Sequence, residues 1–164
     1  MAHTCNRYDP AEHAEDDDER KALFFTERFQ AHEEAEIFAR KRVEGIENKV
    51  QHLLDKFWLL SEEDALERVK AEETLVDCRR FLKNSYVAAY GMKDDQSRRK
   101  VFESHQGALE LLTETLSGLT ELSLDNVYVE RGENALCLHL RAISFYTSIL
   151  SKYMERIANL DNVD

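Results

Sequence analysis

The sequence predicts an all-α fold, an elongated helical bundle of about four to five helices. Three observations support this prediction. Apolar residues recur every three or four positions along most of the chain, which is the period of an α-helix. Only one proline and five glycines occur in 164 residues, so long segments contain no helix breaker. The alternation of apolar and polar residues that is typical of half-buried strands is not evident.

The first helix is predicted to begin at Asp9-Pro10-Ala11-Glu12, which has an N-cap residue, a proline at the first helical position and an acidic first turn. Its apolar residues form two stripes, rotated by roughly 80° at 100° per residue. The stripes are Ala22, Phe25, Phe29 and then Ala39, Val43, Ile46, Val50, Leu53, Phe57. This pattern predicts either a bend near His32 or one long helix that changes its packing partners.

The next helix is predicted to start at Ser61-Glu62-Glu63-Asp64, a capping-box pattern. Gly91 is a plausible residue to end it in a left-handed conformation. Its apolar positions recur at helical spacing on one stripe. They are Leu75, Cys78, Leu82, Tyr86 and Ala89.

A polar linker from Lys93 to Ser97 follows, with Asp94 or Asp95 as the next N-cap. The helix after it has two faces and is predicted to end between Gly118 and Leu122. Its apolar stripe contains Phe102, His105, Leu109, Leu112, Leu116 and Leu119. Glu103, Glu110 and Glu114 fall on the other side, which is a solvated surface unless it binds a partner.

Ser123 is predicted to cap a further segment, which Gly132 interrupts. The last helix, about Glu133 to Asn159, is apolar over much of its circumference, which predicts a central, buried helix. The chain therefore reads as a leader at 1–9 followed by a single helical domain at 10–160.

The composition excludes several classes of protein. A formal net charge of −11 argues against binding nucleic acid or an anionic membrane surface, because both need a basic footprint. No apolar run reaches the roughly 18 residues of a membrane span. Three cysteines without paired spacing do not form a disulfide framework, and they indicate the cytoplasm or the nucleus. They are Cys5, Cys78 and Cys137.

A catalytic or metal site is hard to find in this sequence. His32-Glu33-Glu34-Ala35-Glu36 resembles a helical zinc motif but lacks the second histidine, so a solvated charged face is the simpler interpretation. His105 and Cys78 lie on apolar stripes, which favours a core histidine and an inert buried thiol. The sequence therefore gives little support to a metal-dependent helical enzyme.

Two features lie off the predicted core. Phe38 is roughly 90° from the stripe of Val43, Ile46 and Val50, and Ile37 lies almost opposite that stripe. Two adjacent apolar residues in such positions form a contact site, unless another helix of the chain covers them. Glu114 lies roughly 170° from the centre of its leucine stripe, as an ordinary surface glutamate or as a second contact residue.

Several short motifs, in order and at compatible spacing from Cys5 to about Leu122, resemble the Ariadne domain. This domain is the C-terminal helical region of Ariadne-type RBR E3 ubiquitin ligases. The motifs are Cys5-Asn6-Arg7-Tyr8, Arg28-Phe29-Gln30-Ala31-His32, Cys78-Arg79-Arg80, Ser85-Tyr86 with Tyr90, Phe102-Glu103-Ser104-His105-Gln106, Leu109-Glu110, Glu114 and Leu116-Ser117. The last helix matches only by position and character.

The resemblance implies a regulatory role. In this family a RING1–IBR–RING2 module precedes the helical domain, and RING2 carries the cysteine that accepts ubiquitin from an E2. The helical domain hides that cysteine through a Phe-Glu pair and a later Glu, until a neddylated cullin–RING ligase releases it. Phe38 and Glu114 match the family's Phe and later Glu, whereas Ala39 stands where the paired Glu is expected. Autoinhibition would then either be weaker or be borne more by Phe38, Ile37 and Glu114.

The resemblance also sets expectations for cofactors and partners. The fragment itself would hold no cofactor and no catalytic cysteine, and the parent protein would bind zinc in the upstream module. The expected partners are its own RING2 and a neddylated cullin–RING ligase, with ubiquitin and the E2 engaged only through the missing module. One alternative remains open at this point: a helical interaction scaffold that docks a partner complex without inhibiting it.

Overall fold

A computed structural model describes residues 17–57, 60–92 and 96–160. Within these ranges the chain forms helices and no strands, which confirms the predicted all-α bundle. The helices are α1 (Asp17–Val43), α2 (Ile46–Lys56), α3 (Glu62–Gly91), α4 (Gln96–Glu121) and α5 (Leu124–Leu160). The predicted leader at 1–9, the caps at Asp9 and at Asp94 or Asp95, and the Cys5–Tyr8 motif lie outside the described residues, as does the side chain of Leu53.

The first helix is continuous through His32, so of the two predicted alternatives the bend is wrong and one long helix is present. Its inward-facing positions keep a spacing of three and four residues throughout, because the buried polar residues His32 and Glu36 fill the gap between the two apolar stripes. The helix also keeps one main partner: α3 packs along α1. The chain turns instead at Glu44 and Gly45, where α1 gives way to α2.

The third helix begins with the predicted capping box. The Asp64 main-chain N–H donates to Ser61 Oγ at 3.1 Å, and the Ser61 main-chain N–H donates to Asp64 Oδ2 at 3.0 Å. Helix α3 does end at Gly91, but not through a left-handed glycine, because the capping residue Met92 has φ −73° and the one positive-φ glycine described is Gly132. The predicted conformation of Gly91 is therefore wrong.

The central helix is α3 and not the last helix. Helix α3 packs against each of the other four, whereas α5 packs mainly against α3 and α4. The broad apolar surface of α5 misled the prediction, since part of it, including Leu138 and Phe145, is exposed. The predicted interruption at Gly132 is confirmed: its φ of 80° and ψ of −179° break the helical path inside α5, in a region of φ that favours glycine.

The main hydrophobic core lies where α3, α4 and α5 meet and extends to Ala39 of α1. It contains most of the leucines predicted for α3 and α4, and its fully buried members include Leu82, Leu109, Leu116 and Leu150. Smaller clusters form around Phe25 and Tyr86, and around Phe57 and Leu136. No described helix has both the length and the apolar character required to cross a bilayer.

Candidate regulatory surface

Buried charged side chains form a seam where α1, α3 and α4 meet. Next to the Phe25 cluster, the His32 ring stacks on Tyr86 with 5.5 Å between the ring centroids, and His32 Nε2 lies 3.6 Å from Glu110 Oε1. The Tyr86 hydroxyl donates to Glu110 Oε2 at 3.0 Å, and Arg28 Nη1 lies 3.7 Å from Glu110 Oε1. Burial alone would raise the pKa of Glu110, but His32, Tyr86 and Arg28 together lower it.

The prediction that Glu103 and Glu110 face solvent is therefore wrong. Glu103 is buried and accepts a hydrogen bond from Arg99 Nε at 2.8 Å, and Glu110 is only partly exposed. The reason is that α4 packs on two sides, with its leucine stripe in the core and its polar stripe against α3. Gln106 Nε2, for example, donates to Ser85 Oγ of α3 at 2.8 Å.

Glu36 is the buried centre of a second group. Its carboxylate contacts Arg40 Nη2 at 2.6 Å, Lys83 Nζ at 2.8 Å and Arg80 Nε at 3.4 Å. The interpretation of the His32–Glu36 segment as a solvated charged face is wrong for these two residues, which are buried and paired. Within the described ranges, no three His, Cys, Asp or Glu side chains are placed to hold a metal ion.

The Glu36 contacts predict an acid-sensitive fold. Burial alone would raise the pKa of Glu36, but hydrogen bonds and charge from Lys83 and Arg40 lower it from 4.5 to about 2. A depressed native pKa stabilises the fold above the unfolded-state pKa and loses this contribution as the pH falls towards about 2. We expect Glu36→Gln to reduce the decline in stability between about pH 5 and pH 2. Urea denaturation of both proteins across this range measures it, and parallel pH profiles would contradict it.

A third buried group joins the end of α1 to the end of α4. Arg42 Nη2 and Arg68 Nη1 lie 2.5 Å and 3.1 Å from Glu72 Oε1. Both arginines also donate to the main-chain carbonyl oxygen of Thr120, Arg42 at 2.9 Å. Together these contacts hold α1, α3 and the last turn of α4 in one arrangement.

The residues singled out as candidate contacts lie beside this seam. A cavity of about 370 Å³, here called the Phe38 cavity, opens between α1, α3 and α4. It brings together Phe38 and Glu114, two of the three residues predicted to lie off the core, although they are 76 positions apart. Its lining includes Glu34, Phe38, Ala39, Arg79, Glu114 and Glu121.

Phe38 and Ile37 are not covered by any described helix. Phe38 is 59% exposed and Ile37 is 50% exposed. The guanidinium carbon of Arg42 lies 6.0 Å from the centroid of the Phe38 ring, so the ring is flanked by a charge that Glu72 anchors. Ile37 does not line the Phe38 cavity and points to another part of the α1 surface.

Glu114 faces solvent, as its helical phase predicts, with 55% of its side chain exposed. It is not an isolated surface acid, however. Arg79 Nη1 donates to Glu114 Oε1 at 2.5 Å, and the Arg79 side chain is 9% exposed. The carboxylate at the mouth of the Phe38 cavity is therefore tied to the interior of the bundle.

Ala39 differs from the other candidates. It is 6% exposed and belongs to the main core, and it also lines the Phe38 cavity. The methyl group at this position therefore contributes no charge to the cavity, and acidic groups reach it from Glu34, Glu114 and Glu121.

Sequence reasoning missed Arg79 and Arg42 as parts of this surface. A signal for Arg79 was present: it lies four residues after Leu75 and three before Leu82, on the stripe that forms the core face of α3. A charged residue on such a stripe indicates a buried partner. Arg42 gave no comparable signal, since it lies in the basic run Arg40-Lys41-Arg42 at the end of α1.

The remaining candidates have structural roles. His105 Nδ1 lies 2.9 Å from the Tyr153 hydroxyl oxygen, and the ring is half-buried between α4 and α5. Cys78 is fully buried in the main core, and burial raises the pKa of its thiol to about 12, which agrees with an inert thiol.

Comparisons with known proteins identify the group to which this chain is related. It is 29% identical to "Probable E3 ubiquitin-protein ligase rbrA" of Dictyostelium discoideum over 96% of the chain and 31% of that protein. It is 33% identical to E3 ubiquitin-protein ligase ari-1.1 of Caenorhabditis elegans over 76% of the chain and 26% of that protein. It is 32% identical to E3 ubiquitin-protein ligase ARIH1 of Homo sapiens over 73% of the chain and 22% of that protein.

No family model matches the chain. The chain spans between about a fifth and a third of the length of these curated relatives. These relatives come from distant organisms, and all three are named as E3 ubiquitin-protein ligases. Their alignments cover most of the chain. The chain therefore corresponds to one region of the longer proteins that form the Ariadne-type RBR E3 ubiquitin ligase family.

Proposed function

We propose that this chain is the autoinhibitory region of an RBR E3 ubiquitin ligase, which packs on RING2 and masks its catalytic cysteine. The observation that carries the proposal is the convergence of Phe38 and Glu114 on one cavity of the bundle. An exposed aromatic ring beside an exposed carboxylate has the composition of a protein-binding surface and not of a core.

The aromatic part of the contact is supported by the exposure of Phe38. Burying an exposed phenylalanine against a partner contributes about 1.5–3 kcal/mol. The adjacent Arg42 guanidinium limits the movement of the ring, which reduces the entropy lost on binding. A contact of this size is strong enough to mask a site and weak enough to be released.

The charged part of the contact is supported by Glu114 and by the overall charge. A carboxylate at the rim of an interface accepts hydrogen bonds from Arg, Lys or main-chain N–H groups of the partner. The net charge of −11 also favours a basic partner surface. With alanine at position 39, Glu114 supplies this interaction without a paired acid beside Phe38.

The catalytic cysteine, the zinc ions, and the sites for E2 and ubiquitin belong in this proposal to a RING1–IBR–RING2 module outside the chain, and the chain itself holds no cofactor. The buried position of Cys78 and the raised pKa of its thiol support this division. Release by a neddylated cullin–RING ligase, in the cytoplasm or nucleus, rests on the family resemblance.

Phe38→Ala tests the proposal most directly. In the ligase that carries this region, we expect the substitution to raise ubiquitin discharge by about five-fold or more, since couplings between regulatory and active sites are typically about 1–3 kcal/mol. Discharge of ubiquitin from a charged E2 is the measurement. Phe145→Ala is the matched control, because Phe145 is 60% exposed but lies on α5 away from the Phe38 cavity. Equal rates for wild type and Phe38→Ala would rule out inhibition through this surface.

A second candidate function is a scaffold that docks a partner complex without inhibiting RING2. The observation that favours it is Ala39, a buried residue without a carboxylate in the Phe38 cavity. A pull-down with neddylated and unmodified cullin complexes separates the two functions. Binding to the neddylated complex together with an unchanged discharge rate in Phe38→Ala would favour the scaffold.

A further inference from the structure

The Arg79–Glu114 pair connects the core of the bundle to its surface. Arg79 lies on the apolar stripe of α3, and its side chain is almost entirely buried. Its acceptor Glu114 is more than half exposed and lies on α4 at the mouth of the Phe38 cavity. A buried cation is therefore satisfied by a carboxylate at the surface.

The other buried arginines of the seam are arranged differently. Arg42 and Arg68 both bind Glu72, which is itself fully enclosed, and a main-chain carbonyl oxygen of α4. Arg42 also lies 3.8 Å from Glu121 Oε1, an exposed carboxylate, but the shortest contacts of both arginines are with buried acceptors. The Arg79–Glu114 pair instead places one carboxylate oxygen against the guanidinium and leaves the other without a hydrogen-bond donor among the described residues.

A carboxylate held through one oxygen has few accessible rotamers. An exposed glutamate otherwise samples several, and a partner that binds it must restrict them at an entropic cost. The bond from Arg79 Nη1 to Glu114 Oε1 removes part of that cost before the partner arrives. Oε2 then remains free to accept a hydrogen bond from outside.

We propose that Arg79 is a positioning residue for the regulatory contact: it holds the Glu114 carboxylate at the mouth of the Phe38 cavity, where the free oxygen accepts a hydrogen bond from a cationic side chain of the partner. The inference rests on the proposed function and adds a residue to it. The lining of the cavity contains more acidic residues (Glu34, Glu114 and Glu121) than basic ones (Arg42 and Arg79), which favours a cationic donor over a neutral one.

The experiment compares four changes in the ligase that carries this region. Arg79→Gln removes the charge, Arg79→Lys keeps it with a single-point donor, and Arg80→Gln is a neighbouring control whose side chain contacts Glu36 and Asp77. The fourth change exchanges the charges by combining Arg79→Glu with Glu114→Arg. Ubiquitin discharge from a charged E2 and the urea midpoint are measured for each protein.

We expect Arg79→Gln to raise discharge by about five-fold or more, as Phe38→Ala does, while Arg80→Gln leaves it unchanged. Arg79→Lys should retain part of the inhibition. The charge exchange rebuilds the internal pair, so we expect it to recover the urea midpoint lost in Arg79→Gln but not the inhibition. This separation of stability from inhibition distinguishes positioning from a purely structural role.

Two results would overturn the inference and leave the proposed function intact. One is a discharge rate in Arg79→Gln equal to that of the wild type, while Phe38→Ala raises the rate. The other is recovery of inhibition together with stability in the charge exchange, which would make the pair structural only. If Phe38→Ala does not raise the discharge rate, the proposed function itself is wrong. If Arg79→Gln does not fold, the comparison of Arg79→Lys with the charge exchange decides the question.

Discussion

Replacing Glu72 by alanine is expected to lower the free energy of unfolding by about 3–5 kcal/mol, because it removes the common partner of two buried arginines. Glu72 is almost completely enclosed, and Arg42 and Arg68 both pair with its Oε1 atom. Burial already lowers the pKa of Arg68, which shows that its environment disfavours the cation. Without Glu72 both guanidinium groups would remain buried, with the Thr120 carbonyl oxygen as their shared acceptor and the exposed Glu121, 3.8 Å from Arg42, as the remaining carboxylate.

Urea denaturation of the two proteins measures this loss, and Glu73→Ala is the matched control. Glu73 is the neighbouring glutamate on α3 and is exposed, so its removal is expected to change stability by less than about 0.5 kcal/mol. Similar midpoints for Glu72→Ala and the wild type would show that the arginines find other acceptors. Loss of Glu72 should also leave Arg42, whose guanidinium lies beside the Phe38 ring, held only by the Thr120 carbonyl oxygen and the exposed Glu121.

Leu116→Ala is expected to cost about 2–5 kcal/mol, because it opens a cavity in the main core. Leu116 is fully buried and belongs to the cluster that joins α3, α4 and α5 and includes Ala39 of α1. The other members of this cluster come mostly from three other helices, so they cannot fill the space without moving those helices.

Leu111→Ala provides the control on the same helix. Leu111 is exposed, and truncating it is expected to change the free energy of unfolding by less than about 0.5 kcal/mol. The difference between the two variants isolates core packing from the helix propensity of alanine. If both variants unfold at the same urea concentration, the placement of α4 against the core is incorrect.

The apolar part of the fold could be predicted from the sequence. Leucine and alanine spacing was sufficient to locate α3 and α4 and the buried face of each, and Ser61 with Asp64 marked the start of α3. These features depend on local chemistry and helical period, which a single sequence contains. The main error among the apolar residues was α5, whose second apolar face is left exposed.

The polar part of the fold could not be predicted in the same way. Whether Glu36 or Glu110 is buried depends on a donor from another helix, and the helical period does not contain that information. Lys83 of α3 holds Glu36, and Tyr86 of α3 binds Glu110. A glutamate therefore looks the same in sequence whether it faces solvent or a buried cation.

The candidate surface was predicted in position but not in composition. Helical phase placed Phe38 and Glu114 off the core, and both are exposed. Their meeting at one cavity depends on how α1 and α4 pack on α3, which requires the tertiary structure. Arg79 belongs to a motif that the family resemblance includes, but its contact with Glu114 became visible only in three dimensions.

The unbroken spacing of inward-facing residues along α1, from Ala22 to Val43, has a geometric consequence. A seven-residue repeat drifts by about 20° per repeat on a straight α-helix, so a helix that keeps one neighbour must supercoil around it in a left-handed sense. We expect α1 and α3 to wind around each other as in a two-stranded coiled coil. The direction in which Phe38 faces then depends on the whole winding of α1, and inserting a single residue near His32 would rotate Phe38 by about 100° relative to the first half of the helix.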